Sequence, residues 1–170
     1  LMLAGIREIL IISTNEDLPL YRKLLGDGSQ FGLSISYSVQ KKPNGIAEAF
    51  IIGQDFIKND SVCLTLGDNI FYGDQFPQLL IDIKQNLNGA TILGYRVKNP
   101  EDFGVIDLDV NEKPIGIVEK PKNPKSNFAV TGLYFYDNNV LNYAKNLKPS
   151  NRGELEISDI NNIYLSKKKL

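Results

Sequence analysis

A chain of 170 residues with 42% hydrophobic and 23% charged side chains suffices for one domain around a single core and is too apolar for disorder. Nineteen Lys and Arg against twenty Asp and Glu leave a net charge of −1, which removes the basic footprint of a general nucleic-acid binder. No apolar run is long enough to cross a bilayer and none has a signal peptide's layout, so the expected compartment is the cytoplasm.

The chain opens Leu1-Met2-Leu3-Ala4-Gly5, which reads as the end of an apolar helix with its glycine stop, so a fragment of a longer chain is expected. Glu8 to Thr14 is a β-branched apolar run, the mark of a doubly buried strand. Asn15-Glu16-Asp17 supplies a helix cap, and the helix runs to about Leu25 before Gly26-Asp27-Gly28. Leu33 to Val39 alternates as a strand, 40–45 is a loop, and Ile46 to Ile57 is an amphipathic helix. A buried strand follows over Ser61 to Leu66, stopped by Gly67-Asp68-Asn69, then a helix over about Gln75 to Asn86 and a strand over Ala90 to Val97.

Beyond residue 100 the rhythm changes. Gly104 to Asp109 and Pro114 to Glu119 predict a hairpin around Asn111-Glu112-Lys113, and Phe128 to Tyr136 a further long strand. Helices over about Asn138 to Leu147 and Glu154 to Leu165 close the chain, with Lys167-Lys168-Lys169 as a solvated tail. The alternation of strand and helix in the first hundred residues predicts βαβ units on a parallel sheet. Ligands bind such sheets beyond the carboxyl ends of the strands.

With no histidine present, Ser-His, Cys-His and histidine-metal chemistry are excluded. Carboxylates, Lys, Arg, Tyr, backbone dipoles and a bound metal remain, a set suited to phosphate chemistry. The single cysteine, Cys63, reads as core filler. Four places can carry chemistry. In Leu66-Gly67-Asp68-Asn69 a carboxylate at a strand end can hold Mg²⁺ against phosphate oxygens, or the segment is a helix-capping turn. Gln40 with Gly45 can offer paired hydrogen bonds and space to a base edge, or form a solvated turn. Glu119-Lys120-Pro121 can accept sugar hydroxyls and neutralise a phosphate, or form an exposed pair of little consequence. Small residues in Val130-Thr131-Gly132-Leu133-Tyr134 can line a sugar pocket, or serve strand packing.

The ordered succession of Gln40, 43–47, 66–73, Gly104-Val105, 118–121 and 130–137, continued by Arg152-Gly153-Glu154-Leu155-Glu156-Ile157-Ser158-Asp159, resembles the glucose-1-phosphate thymidylyltransferases over essentially the whole chain. The resemblance implies an α/β fold of the nucleotide-diphospho-sugar transferase type. This is a three-layer α/β/α sandwich with a mostly parallel central sheet, here a single domain over 1–170 truncated at both ends. It implies joining of dTTP to α-D-glucose 1-phosphate, giving pyrophosphate and dTDP-glucose for deoxysugars such as L-rhamnose, with Mg²⁺ as cofactor and a homo-oligomer at full length.

Position by position, the resemblance places Gln40 and Gly45 at the thymine, Asp68 on Mg²⁺ with Asn69 beside it, and Gly104, Glu119 and Val130 in the glucosyl pocket. Lys120 faces the sugar phosphate, and Thr131 and Tyr134 are second contacts. Asp68 and Lys120 are the expected catalytic pair. Phe103 stands where relatives often carry tyrosine, so a hydroxyl contact there is lost. The family's glycine-rich triphosphate loop and second metal-binding aspartate have no counterpart in these residues, so poor turnover of the chain alone is expected. The alternatives are a UTP- or CTP-dependent sugar-1-phosphate nucleotidyltransferase and a non-catalytic sugar-nucleotide-binding module. A DxD-type glycosyltransferase fits less well, because 67–69 offers one carboxylate.

Overall fold

The computed structural model describes residues 1–170. Leu1–Gly5 forms a short 3₁₀ turn closed by Gly5 in the left-handed region (φ 72°), a conformation glycine adopts without Cβ strain. β1 (Glu8–Ser13) pairs in parallel with β2 (Ser34–Val39), from Glu8↔Ser34 to Ser13↔Val39. Between them runs α1 (Leu18–Leu25). Its entry is fixed by Thr14, whose Oγ1 accepts from the Asp17 amide at 3.1 Å and donates to Asp17 Oδ2 at 2.8 Å. The N-cap is Asp17, the last residue of the expected signal, and Thr14 fixes it in place.

The expected helix over 46–57 is two helices, α2 (Glu48–Ile52) and α3 (Gln54–Ile57), parted at Gly53. A Cβ on Gly53 would lie 3.0 Å from the Ala49 carbonyl oxygen and 3.2 Å from Leu10 Cδ2, so the absence of a side chain there lets helix and strand approach. There follow β3 (Val62–Thr65), α4 (Phe76–Asn86), β4 (Ala90–Arg96), β5 (Gly104–Leu108), β6 (Pro114–Glu119), β7 (Phe128–Tyr136), α5 (Asn139–Asn146) and α6 (Ile157–Ser166). The residues before α6, expected as its first turn, are instead extended, with Glu156 at φ −79°, ψ 135°. The lysine tail is not wholly solvated: the Ala90 amide donates to the Lys169 carbonyl at 2.7 Å.

The α/β class and three layers are present. β7 turns Tyr134 and Tyr136 into a core shared with Phe50 of α2, Val140 and Ala144 of α5, and Ile160 and Tyr164 of α6. Its alternate residues, Leu133 and Phe135, meet Ala4 and Leu80 of α4 on the other face, as the period of two requires.

The expectation of a mostly parallel sheet is corrected. Only β1 and β2 pair in parallel, and every paired strand of the five-stranded sheet is antiparallel. β3 and β4 do run the same way, but nine-residue β7 is inserted between them and pairs with both. The β5–β6 hairpin is antiparallel by its short turn, in which Asp109 Oδ1 accepts from the amides of Asn111 and Lys113. β1 and β3 are not hydrogen-bonded to each other. They line an apolar cleft of about 540 Å³, with Ile9, Leu10 and Ile12 on one wall and Val62, Cys63 and Leu64 on the other.

Candidate active site

The hairpin register sets Gly104 opposite Glu119. A Cβ on Gly104 would lie 3.1 Å from Ser158 Oγ, 3.2 Å from Glu119 Oε2 and 3.9 Å from Val130 Cγ2, so strand ends from β5, β6 and β7 converge with the start of α6 on one small space. Glu119 is held from two sides. Ser158 Oγ donates to its Oε2 at 2.5 Å, and Arg152 Nη1 lies 3.7 Å from its Oε1. Arg152 also meets Glu154 at 3.1 Å and Glu156 at 3.9 Å, and Glu156 accepts from Ser150 Oγ at 2.7 Å.

Burial first, and then the charges of Glu119 and Asp68, push the Tyr134 phenol well above its ordinary pKa. Both carboxylates thus lie within electrostatic range of the buried Tyr134. Asp68 follows β3 at the rim, exposed, with its Oδ1 accepting from Asn69 Nδ2 at 2.8 Å. Asn69 Oδ1 in turn accepts from the Gly132 amide at 2.9 Å.

Lys120 follows β6 at φ 41°, in the left-handed region that a non-glycine residue occupies at a cost. Its amide donates to the Phe103 carbonyl at 2.9 Å, while its exposed ammonium has no ion-pair partner in the chain. The exposed, unpaired ammonium is available to an anion.

Gln40 is fixed by its amide, which donates to the Ser13 carbonyl at 2.9 Å and so continues the β1–β2 ladder. Its side chain donates to Glu48 Oε2 at 2.7 Å and to the Gly45 carbonyl at 3.2 Å. Gln40 and Gly45 are thus neighbours, as expected, but the space at Gly45 serves packing. At φ 102° its Cβ would lie 2.6 Å from the Leu155 amide nitrogen and closer still to the Leu155 carbonyl oxygen. Leu155 donates to the Asn44 carbonyl at 2.6 Å and accepts from Ala47 at 3.1 Å. The segment 150–156, a turn closed by Gly153 N–H on the Ser150 carbonyl and leading into extended Glu156, therefore ties the 40–48 loop to the Glu119 pocket.

Thr131 lies on β7 between Val130 and Gly132, and its hydroxyl is buried without a hydrogen-bond partner. Arg152 and Ser158, which hold Glu119, carried no individual role in the sequence reading. Ser158 is 39 residues from Glu119, and only the alternation of acidic residues around Arg152 hinted at a charge cluster.

No three His, Cys, Asp or Glu side chains gather as a metal cage. Asp68 alone, with Oδ2 unshared, suits a hard cation that takes one carboxylate oxygen and completes its shell with phosphate oxygens and water, as Mg²⁺ does.

The family model described as nucleotidyl transferase matches residues 1–170. The chain is 60% identical over 165 residues to a glucose-1-phosphate thymidylyltransferase of Neisseria meningitidis, covering 97% of this chain and 57% of that one. It is 51% identical to the protein of that name in Mycolicibacterium smegmatis, covering 100% and 59%. It therefore spans little more than half the length of these curated relatives. A Bacillus anthracis crystal structure, provisionally named a glucose-1-phosphate thymidylyltransferase and solved with a sucrose, superposes with a TM-score of 0.85 at 48% identity, covering 95% of this chain and 65% of that one. A UDP-glucose pyrophosphorylase complexed with UDP-glucose shares the fold, with a TM-score of 0.82 at 21% identity over 99% and 73% of the two chains.

Proposed function

The chain belongs to the nucleotidyl transferase family, and from that premise we propose that the protein joins dTTP to α-D-glucose 1-phosphate, releasing pyrophosphate and forming dTDP-glucose. The observation that carries the reading is the small space at Gly104, bounded by Glu119, Val130 and Ser158, with Asp68 bonded to Asn69, which itself accepts from Gly132 of the strand that carries Val130. Metal-side and sugar-side carboxylates then both connect to β7, through Gly132 and Val130. The names of the relatives support the thymidylyl and glucosyl halves of the proposal.

A sugar phosphate oxygen is already anionic, so its attack on the α-phosphorus needs no histidine base. One P–O bond forms, the bond to the pyrophosphate leaving group breaks, and catalysis consists of alignment and charge neutralisation. In this reading Gln40 meets the base edge, and Glu119, oriented by Ser158 and Arg152, accepts glucosyl hydroxyls. Gly104 and Val130 leave room for the ring, Tyr134 closes its floor, and Lys120 brings its unpaired ammonium to the sugar phosphate. Asp68 would hold Mg²⁺, which when bound neutralises charge on the triphosphate oxygens. The buried, unpartnered hydroxyl of Thr131 is a second contact of the sugar pocket.

The test is pyrophosphate release with glucose 1-phosphate, Mg²⁺ and dTTP, UTP or CTP in competition. Preference for dTTP with partial use of UTP is expected, since one methyl group discriminates by only about 1–3 kcal/mol. Preference for CTP, or binding of dTDP-glucose without turnover by the full-length protein, would overturn the assignment.

A further inference from the structure

α6 meets the edge of the sheet at two places, and the two are in register. β6 pairs with β5 on one side only, so its other edge is open. At Ile117 that edge is taken by a side chain instead of a strand. The Ile117 amide donates to Asn162 Oδ1 at 2.9 Å, and Asn162 Nδ2 donates back to the Ile117 carbonyl at 2.7 Å. Two residues along β6, Glu119 accepts from Ser158, one turn earlier on α6. Four helical residues rise about 6 Å and two strand residues about 6.7 Å, so the two spacings agree to within about 1 Å. Ile117 with Asn162 and Glu119 with Ser158 can therefore close together at only one axial position of the helix.

The other contacts of α6 go elsewhere. Ile157, Ile160 and Tyr164 pack in the core, and apolar burial has no direction of its own. Asn161 Oδ1 accepts from the Tyr136 hydroxyl at 2.5 Å, and the Tyr164 hydroxyl donates to Asp137 Oδ1 at 2.6 Å. Those two bonds tie the helix to β7 and the residue after it. Only Ser158 and Asn162 hydrogen-bond to β6. Ser158 holds through one rotatable hydroxyl, whereas the planar amide of Asn162 makes two bonds to a backbone already fixed in a sheet. The amide is the stiffer tie.

We propose that Asn162 is a positioning residue: it clamps α6 to the open edge of β6 and so holds Ser158 against Glu119, keeping that carboxylate oriented for glucosyl hydroxyls. The role rests on the nucleotidyl-transfer reading for the identity of the ligand, a sugar phosphate. Asn162 bonds only to backbone and acts through Ser158.

The test is a double-mutant cycle in the full-length protein, with the KM for glucose 1-phosphate and for dTTP measured separately. Asn162→Ala is expected to raise the KM for glucose 1-phosphate about three- to tenfold, the range of coupling within one hydrogen-bonded network. The KM for dTTP should not move. In Ser158→Ala, which itself raises the sugar KM, adding Asn162→Ala is expected to change it by less than about twofold, because the hydroxyl it acts through is already gone. Amide exchange at Ile117 is expected to quicken about tenfold in Asn162→Ala in either background, the size of one lost hydrogen bond. Asn162→Leu, which keeps the bulk of the side chain but makes neither bond, is expected to behave alike and keeps the test open should Asn162→Ala fold poorly. An equal rise in both KM values, or the same rise in the sugar KM with and without Ser158, overturns the role and leaves a clamp that only stabilises the fold. Unchanged Ile117 exchange overturns it as well. Wild-type protein that does not use glucose 1-phosphate overturns the functional reading and this role together, whereas a sugar KM indifferent to Asn162 overturns this role alone.

Discussion

Ser158 Oγ donates to Glu119 Oε2 at 2.5 Å, joining the start of α6 to the end of β6 across the pocket that Gly104 leaves open. With Arg152 on the other carboxylate oxygen, Glu119 has a fixed orientation before any ligand arrives, which lowers the ordering cost of binding. Glu119→Ala is expected to raise the KM for glucose 1-phosphate about ten- to hundredfold, the span for a hydrogen bond to a charged group. The KM for dTTP should stay put. Steady-state kinetics with each substrate varied in turn checks this, and an equal rise in both would remove Glu119 from the sugar side.

Gly45 is the tightest contact between the 40–48 loop and segment 150–156. Its φ of 102° and the Leu155 backbone pressed against it mean that Gly45→Ala is strained in two independent ways. A loss of at least about 2 kcal/mol is expected, seen as a fall of roughly 4–8 °C in Tm for a domain of this size. Calorimetry measures it, and an unchanged Tm would mean that the loop and the segment are not tied.

Asp159 lies in the first turn of α6, where burial first and the Glu156 carboxylate second raise its pKa above the ordinary aspartate value of 3.8. A raised folded pKa favours the protonated form in the native state. The stability it contributes is complete below the unfolded pKa and is lost as pH rises through the folded one. Asp159→Asn is therefore expected to raise Tm at pH 7 and to leave it unchanged near pH 3. A gain at pH 3 with none at pH 7 would reverse the sign.

The elements legible in the sequence were those whose signals are local. The β-branched run at Ile9–Ile12, the alternation of Ser34–Val39, the turn at 109–113 and the long apolar strand at 128–136 all form as the residues predict. What was hidden is non-local. Nothing within Phe128–Tyr136 says that it enters the sheet between β3 and β4, and this one insertion turns the expected parallel sheet antiparallel. The break at Gly53 depends on the approach of Leu10, 43 positions away. The proximity of the Asp68 and Glu119 segments was expected only from the ordered resemblance of the motifs. The Arg152–Ser158 hold on Glu119 and the unpartnered hydroxyl of Thr131 became visible only in the fold.

Cys63 lines the cleft between β1 and β3, and burial raises its thiol pKa to about 12. At pH 8 its thiolate fraction is then roughly a thousandth of a free cysteine's. Modification by a disulfide reagent is expected to be slow in the native protein and to become fast in denaturant. Rapid native-state labelling would mean that the cleft opens to solvent more freely than its apolar walls imply.

The account turns on the carboxylate at the end of β3. Pyrophosphate release by the full-length protein, followed against Mg²⁺ concentration for wild type and Asp68→Ala, tests it most directly. The account predicts that the substitution lowers the metal-dependent rate by about a hundredfold or more, in the range seen when one electrostatic stabiliser is removed from an active site. Wild-type rates in Asp68→Ala at every Mg²⁺ concentration would contradict it, and would leave Asp68 as a residue of the turn before α4.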